Sequence, residues 1–395
     1  MFFIDLGVIA AYSPLLSLHL SKTLALTPAQ IAAVYAVGPL ATLIGPGIVG
    51  WVADRWFPAE RSLALLNLLR VGALFSCASA SSFAEILLAM ALVGLLTAPS
   101  VVLCYAIAFH HLKDAQSLGR TRVWGAVSWI LILWLTSGYL ARFGSLGEQL
   151  AQTRHVFHFG AALAALGALN ALTLPHTPPT RSPSRPLAFL DALQLLRTRS
   201  FRALVAGAAL SSMCLQFHFI LWPLFFTDPV GGLGMDVAVA SRASSVAQFP
   251  ELLLFPVLGG LIARFGLRRV LIAGTLAWPL RFLAYTLGQP LELVVGMQLL
   301  HGVTVVCGSV AAQIAVDRVA PLGARASSHA LLAAATGGAG NLLGQLSCGA
   351  ALEIFAQPGL GYAWPRIFAL PLALGVLATA LIAFGFRPQR DEYAT

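Results

Sequence analysis

Long apolar runs, each closed by a charge, a glycine or a proline, recur along the whole of this sequence. Counted between those breaks, twelve runs fall near 2–20, 28–50, 61–80, 84–108, 120–141, 155–174, 200–226, 238–263, 269–287, 291–316, 325–353 and 364–386. Each approaches the roughly 20 apolar residues that a helix needs to cross a bilayer. Backbone in lipid must bond to itself, which leaves the helix as the spanning element for such runs. Met1 leads straight into FFIDLGVIAAYSPLLSLHL without a basic flank or a small-residue cleavage site, so this stretch reads as the first span and not as a signal peptide. The pattern predicts an all-α polytopic membrane protein of twelve transmembrane helices.

The longest polar connection lies at the midpoint and divides the chain into an N-terminal six-helix bundle (1–174), a linker (175–199) and a C-terminal six-helix bundle (200–395). Its Pro- and Ser-rich first half cannot run as one helix, whereas LAFLDALQLLR is expected to lie as a short amphipathic helix at the membrane surface. A weak repeat supports two pseudo-symmetric halves: GWVADR, Gly50 to Arg55, is echoed 209 residues later by GGLIAR, Gly259 to Arg264, with Ala263 in the place of Asp54. Paired halves around a midplane site are the arrangement by which a transporter rocks.

Composition agrees, with 58% apolar and only 10% charged residues, where soluble domains carry about a quarter charged. The net charge of +9 does not form a basic face for nucleic acid, because the arginines sit in the gaps between apolar runs. Sixteen of the 24 Lys and Arg fall in loops of one side, among them Arg55, Arg61, Arg197, Arg268 and Arg387, against four on the other, Lys22, Arg142, Arg154 and Arg366. The rule that basic loops stay inside places both termini in the cytoplasm of a cell with the chain multi-pass in its inner (plasma) membrane. The five cysteines stand singly within apolar runs and read as small core residues.

Charge within the hydrocarbon costs roughly 2.5–3.5 kcal/mol per residue or more, so an ionisable side chain there is a functional candidate. Arg122 at the start of span five, Glu251 in span eight and Arg281 deep in span nine pass that filter. Gln248 is three residues before Glu251 and shares its helix face. An arginine and a glutamate from opposite halves would form a pair whose attraction disappears on protonation of the carboxyl, which is a basis for proton coupling. The competing reading makes Arg122 an interfacial anchor with its head in water and Glu251 a helix-packing carboxyl. The partner of Arg281 is left open between Glu251 and a backbone carbonyl. Gln216, His218, Asp5 and His301 carry weaker versions of the same signal. Trp129 is placed to stack a planar solute, seven residues from Arg122 on one face. The glycines of ATGGAGNLLGQLSCGA read as helix-packing positions and not as a phosphate loop, since no lysine follows them. With no HExxH, no GxSxG and no carboxylate cluster, nothing calls for an enzyme, a metal or a cofactor.

Two stretches carry a resemblance. GPGIVGWVADRWFPAERS, with Gly50, Asp54 and Arg55, resembles the loop between spans two and three that marks the major facilitator superfamily, and the resemblance implies that these residues govern conformational switching. RVWGAVSWI, LTLPH, QFPELLLFPVLGGLIARFGLRRVL, AWPLRF and RASSHALLAAATGGAGNLLG, in that order, make the chain similar to the bacterial nucleoside:proton symporters over nearly its whole length. That resemblance implies a substrate site of Arg122, Gln216, Gln248 and Glu251; beside it, the residues themselves put Trp129 as a stacking group and Glu251 as the carrier of the coupling proton. The chain departs from the pattern at Ala126 and Trp129, where the family has Thr and Phe, at Phe219, where it has Asn, and around Val306 and Cys307, where it has Asp. Those losses remove groups that would hold ribose hydroxyls and point to a ligand more apolar than a nucleoside. The expectation is a monomeric secondary transporter of the major facilitator fold that takes up nucleosides, or a similar small planar polar solute, with protons by alternating access. The alternatives are aromatic acids or sugars as cargo, or a membrane receptor that binds without transport; an integral-membrane transferase would need a polar cluster at one membrane face, which the sequence lacks.

Overall fold

The computed structural model describes residues 1–53, 57–112, 115–178, 192–321, 324–357 and 361–387. Among them twelve long helices follow in order: α1 (Phe2–Thr23), α2 (Pro28–Ala53), α3 (Ala59–Ser79), α4 (Phe83–His111), α5 (Ala115–Leu140), α6 (Leu146–Leu172), α7 (Arg199–Thr227), α8 (Val237–Phe265), α9 (Leu267–Leu287), α10 (Leu291–Val319), α11 (325–354) and α12 (Trp364–Gly385). Ten of them are long and apolar enough to cross a membrane; the exceptions are α2, whose described apolar part is Pro28–Leu43, and α11. A two-residue hairpin, Ala356–Gln357 with Gly361–Tyr362, precedes α12.

Helix ends follow from local chemistry. The sequence predicts a sixth span from 155, but α6 begins at Leu146, because Ser145 and Glu148 form a reciprocal capping box there. Gly288 closes α9 in the left-handed conformation at φ 69°, and Gly266, at φ 80°, turns the chain between α8 and α9. In the linker, the described part of the expected amphipathic helix is a single 3-10 turn, Leu193–Arg197.

The chain packs as two compact units. One takes in the described residues of Met1–Ser184, His218–Gln248 and Gln345–Trp364. Inside it α1 lies against α5 and α6, α3 against α4 and α6, and α2 against α4. The first turns of α8 are tied to α5 and α6: Ser137 Oγ donates to the Ala238 carbonyl (2.7 Å), Trp134 Nε1 to Ser245 Oγ (2.9 Å), and Gln149 Oε1 accepts from the Ala238 amide (3.0 Å).

The second unit takes in the described residues of Arg185–Phe217, Phe249–Gly344 and Pro365–Thr395. Here α10 and α11 each contain a seven-residue π-helical segment, Thr304–Val310 and Ala334–Gly340. Lipid tails give no hydrophobic drive for helices to associate, so close packing of small residues supplies the attraction. Gly274 of α9 sits against the backbone of Cys307 and Gly308, and Gly340 against Ala209 and Ser212 of α7. Large side chains such as Leu65, Leu88, Leu169, Leu253 and Phe384 point outward and exposed, as a surface in contact with lipid requires.

Candidate functional site

Arg122, Trp129 and Gln248 belong to the first unit, and Gln216 and Glu251 to the second. Arg122 is half-buried on α5, and its Nε donates to Tyr105 Oη of α4 at 2.8 Å. A guanidinium has five N–H bonds in a planar fork, so four remain on the two terminal nitrogens. One turn on, Gly125 makes room for them: a Cβ there would stand 2.7 Å from Arg122 Nη1. Trp129 lies two turns from Arg122 and faces Phe219 of α7, with ring centroids 6.1 Å apart and a 41° tilt; His218 continues the row at 5.5 Å from Phe219. Gln248 ends the 3-10 turn Val246–Gln248 within α8 and is buried.

Glu251 is buried in the next turn of α8, and the helices touch backbone to backbone at this point: a Cβ at Gly302 of α10 would lie 2.6 Å from the Glu251 amide nitrogen. Gln216 is also buried, with Gly344 of α11 leaving space beside its Cβ. A pocket of about 100 Å³ lies within this unit and presents the hydroxyls of Ser211, Ser212, Thr275, Ser309 and Thr336 together with Gln313. Pockets that take a whole small ligand run to about 300–1,000 Å³, so this one has room for one end of such a molecule. Arg281 is fully buried on α9. Its Nε donates to Tyr285 Oη (2.9 Å), Nη1 to His301 Nδ1 (3.3 Å) and Nη2 to Gln298 Oε1. An acceptor at Nδ1 fixes the neutral His301 tautomer with its proton on Nε2.

In the sequence Asp5 is a weaker candidate, and Arg70 lies within the third apolar run. The structure pairs them: Arg70 Nη1 meets Asp5 Oδ1 at 2.6 Å, with both side chains buried. Two opposite charges stranded in separate apolar runs were the available signal, since each needs a counter-charge in the hydrocarbon. Asp54 and Arg55 lie outside the described residues, and of Gly50 the structure describes the helical backbone alone. At the positions that depart from the family pattern, Ala126, Val306 and Cys307 are buried apolar groups and Phe219 packs at a tilt beside Trp129. Among the described residues no group of three or more His, Cys, Asp or Glu is placed to hold a metal ion.

The family profile described as "Nucleoside H+ symporter" matches residues 1–391. The nucleoside permease NupG of Escherichia coli is 25% identical over 359 residues, covering 87% of this chain and 84% of its own. The xanthosine permease of the same organism is 25% identical over 409 residues, covering 99% and 95%. The crystal structure of nucleoside transporter NupG superposes with a TM-score of 0.82 at 24% identity, over 97% of this chain and 96% of that one. That of a D-xylose-proton symporter gives 0.71 at 15% identity, over 98% and 97%. These likenesses show the major facilitator fold.

Proposed function

Because the chain belongs to the nucleoside H+ symporter family, we propose that it is a secondary active transporter carrying a nucleoside, or a small planar polar solute like one, inward with a proton. The observation that carries this reading is the set of functional side chains held at helix depth: Glu251, Gln248 and Gln216 buried and Arg122 half-buried beside Tyr105. Arg122 orients the cargo with its four free N–H bonds, Gln216 and Gln248 hydrogen-bond its polar edge, and Trp129 offers an aromatic face. Glu251 binds the coupling proton; neutral and charged forms favour different cavity states, so protonation and cargo binding together drive the change of access. The bundles 1–174 and 200–395 are the rocking bodies, with the 175–199 linker and both termini on the cytoplasmic face of the inner membrane, and Gly50, Asp54 and Arg55 at the switch loop. The transporter acts as a monomer.

A second reading, an aromatic acid as cargo, is favoured by one observation: the Trp129–Phe219 pair stands where a ribose-binding group would be expected, and Arg122 supplies the cation for a carboxylate. Uptake into vesicles under an inside-alkaline gradient separates the two, using uridine, adenosine, xanthosine, benzoate and xylose. One proton per solute sustains about tenfold accumulation per pH unit. Wild type is expected to accumulate at least one nucleoside and to lose it with a protonophore; Glu251→Gln is expected to bind cargo without accumulating it. Normal pH-dependent accumulation in that variant would remove Glu251 from the coupling role.

A further inference from the structure

Asp5 and Arg70 form an ion pair at 2.6 Å inside the first unit. Three helices meet there: Asp5 comes from α1, Asn67 and Arg70 from α3, and Ser100 from α4. Arg70 is 0% exposed and Asp5 4%.

The hydrogen-bond arithmetic is lopsided. Arg70 Nη1 has two hydrogens and faces three acceptors, Asp5 Oδ1 at 2.6 Å, Ser100 Oγ at 3.0 Å and Asn67 Oδ1 at 3.1 Å. Its Nε and Nη2, with three hydrogens between them, are buried and meet no acceptor among the described residues. Ser100 Oγ donates in turn to Asp5 Oδ1 at 3.0 Å. A buried ion pair offsets its desolvation only when the remaining donors are also bonded. Here every bond of the cation passes through the nitrogen that meets the carboxylate, so the charge on Asp5 decides how Arg70 is held.

We infer that Asp5 is a second proton-binding site of the transport cycle and that Arg70 is the fixed charge that responds to its protonation. The inference rests on the proton-coupled reading above. One proton adds to one carboxylate oxygen of Asp5, no other bond breaks, and the cluster passes from zero net charge to +1. Arg70 then keeps only the neutral acceptors Asn67 and Ser100, the tie between α1 and α3 weakens, and α1 is free to shift against α3 and α4.

Other ionisable groups lie around the pair, among them the Cys77 thiol of α3 beside Tyr12. The Cys104 thiol faces Asp5 from α4, with the Met1 amino group also acting there, and the Tyr12 hydroxyl lies near Arg70 from α1 itself. From α5, Arg122 reaches over Gly125 toward Leu6, while Ser128 of α5 and Leu163 of α6, which are not ionisable, meet Gly7.

The test uses vesicles from cells expressing the full chain as wild type, Asp5→Asn, Arg70→Gln and the double variant, with folded protein measured by size-exclusion fluorescence. Two fluxes are read for uridine: accumulation under a one-unit inside-alkaline gradient, and counterflow at equal pH. Asp5→Asn is expected to lose accumulation about tenfold, with a flattened pH profile, while counterflow stays within about twofold. The double variant, which leaves no unpaired charge, is expected to behave alike and carries the test if Asp5→Asn does not fold. Accumulation with the wild-type pH profile in either variant would overturn the inference. So would a parallel loss of both fluxes in a folded double variant, which is the mark of a structural pair. Failure of the wild type to accumulate any nucleoside would instead strike the symport reading, and this inference with it.

Discussion

Gly274→Ala tests whether α9 and α10 are held at the distance the structure shows. The added Cβ would stand 2.6 Å from the Cys307 carbonyl oxygen and nearer still to the Cys307 carbonyl carbon and the Gly308 nitrogen, where ordinary contact begins at 3.4 Å. The shortfall is 0.8 Å at the oxygen alone. All three are backbone atoms, so no side-chain rotation relieves the clash and α9 must retreat from the π segment of α10. Overpacking of this kind costs about 1–3 kcal/mol, while alanine returns about 0.8–1 kcal/mol over glycine within a helix. With all three contacts to backbone and below 3.0 Å, the cost falls at the upper end of that range, and the expected net is a loss of about 2 kcal/mol, together with displacement of Thr275 and Ser309 in the hydroxyl-lined pocket. Gly259→Ala on α8 is the control, since nothing lies within 4 Å of its added methyl group; it is expected to be neutral or stabilising by up to about 1 kcal/mol. Apparent melting of the detergent-purified protein compares the two. Equal melting temperatures would refute the close approach of α9 and α10.

Three further outcomes follow from single contacts. Asp228→Ala removes the acceptor of Trp364 Nε1 (2.7 Å) and of the Val230 amide (3.1 Å); a charged hydrogen bond contributes about 1.5–3 kcal/mol, and Asp228→Asn should recover part of that loss in the same melting assay. Ser137→Ala with Gln149→Ala cuts two of the ties between α8 and the α5–α6 pair and should raise the labelling rate of a cysteine placed at Ala238, with Ser211→Ala, in the other unit, as the unchanged control. The five native cysteines are buried and should resist maleimide until the fold is denatured; rapid labelling of any of them in the native protein would contradict its placement.

Spans were legible because a bilayer-length apolar run is a strong one-dimensional signal. The expected 269–287, 291–316 and 364–386 stand beside the observed Leu267–Leu287, Leu291–Val319 and Trp364–Gly385. The start of α6 was not, because Ser145 to Arg154 carry polar residues that read as loop, and only the Ser145–Glu148 capping box announces the helix. The π segments of α10 and α11 leave no periodic trace beyond their glycines. Among site residues, burial of Glu251, Gln248 and Gln216 could be anticipated from their apolar surroundings. Which side chain meets which could not, since a contact between helices distant in sequence has no period. Tyr105 as the partner of Arg122, and Tyr285, Gln298 and His301 as partners of Arg281, emerge from the fold alone.

Arg70 and Arg281 are 211 residues apart, within two of the 209 that separate Gly50 from Gly259. Each occupies the third helix of its half, is 0% exposed, and is bonded by a side chain of the following helix, Ser100 of α4 for Arg70 and His301 of α10 for Arg281. A buried cation on this helix is therefore a property of the repeat. The first helices differ at the position that this 209-residue spacing matches to Asp5. The residue 209 positions beyond Asp5 is Cys214, and its thiol donates to the Pro371 carbonyl at 3.4 Å. Of these two equivalent positions, one therefore carries a carboxylate and the other a thiol. On the inference drawn for Asp5, a proton taken up there acts on the packing of α1 and meets no carboxylate at the equivalent place on α7.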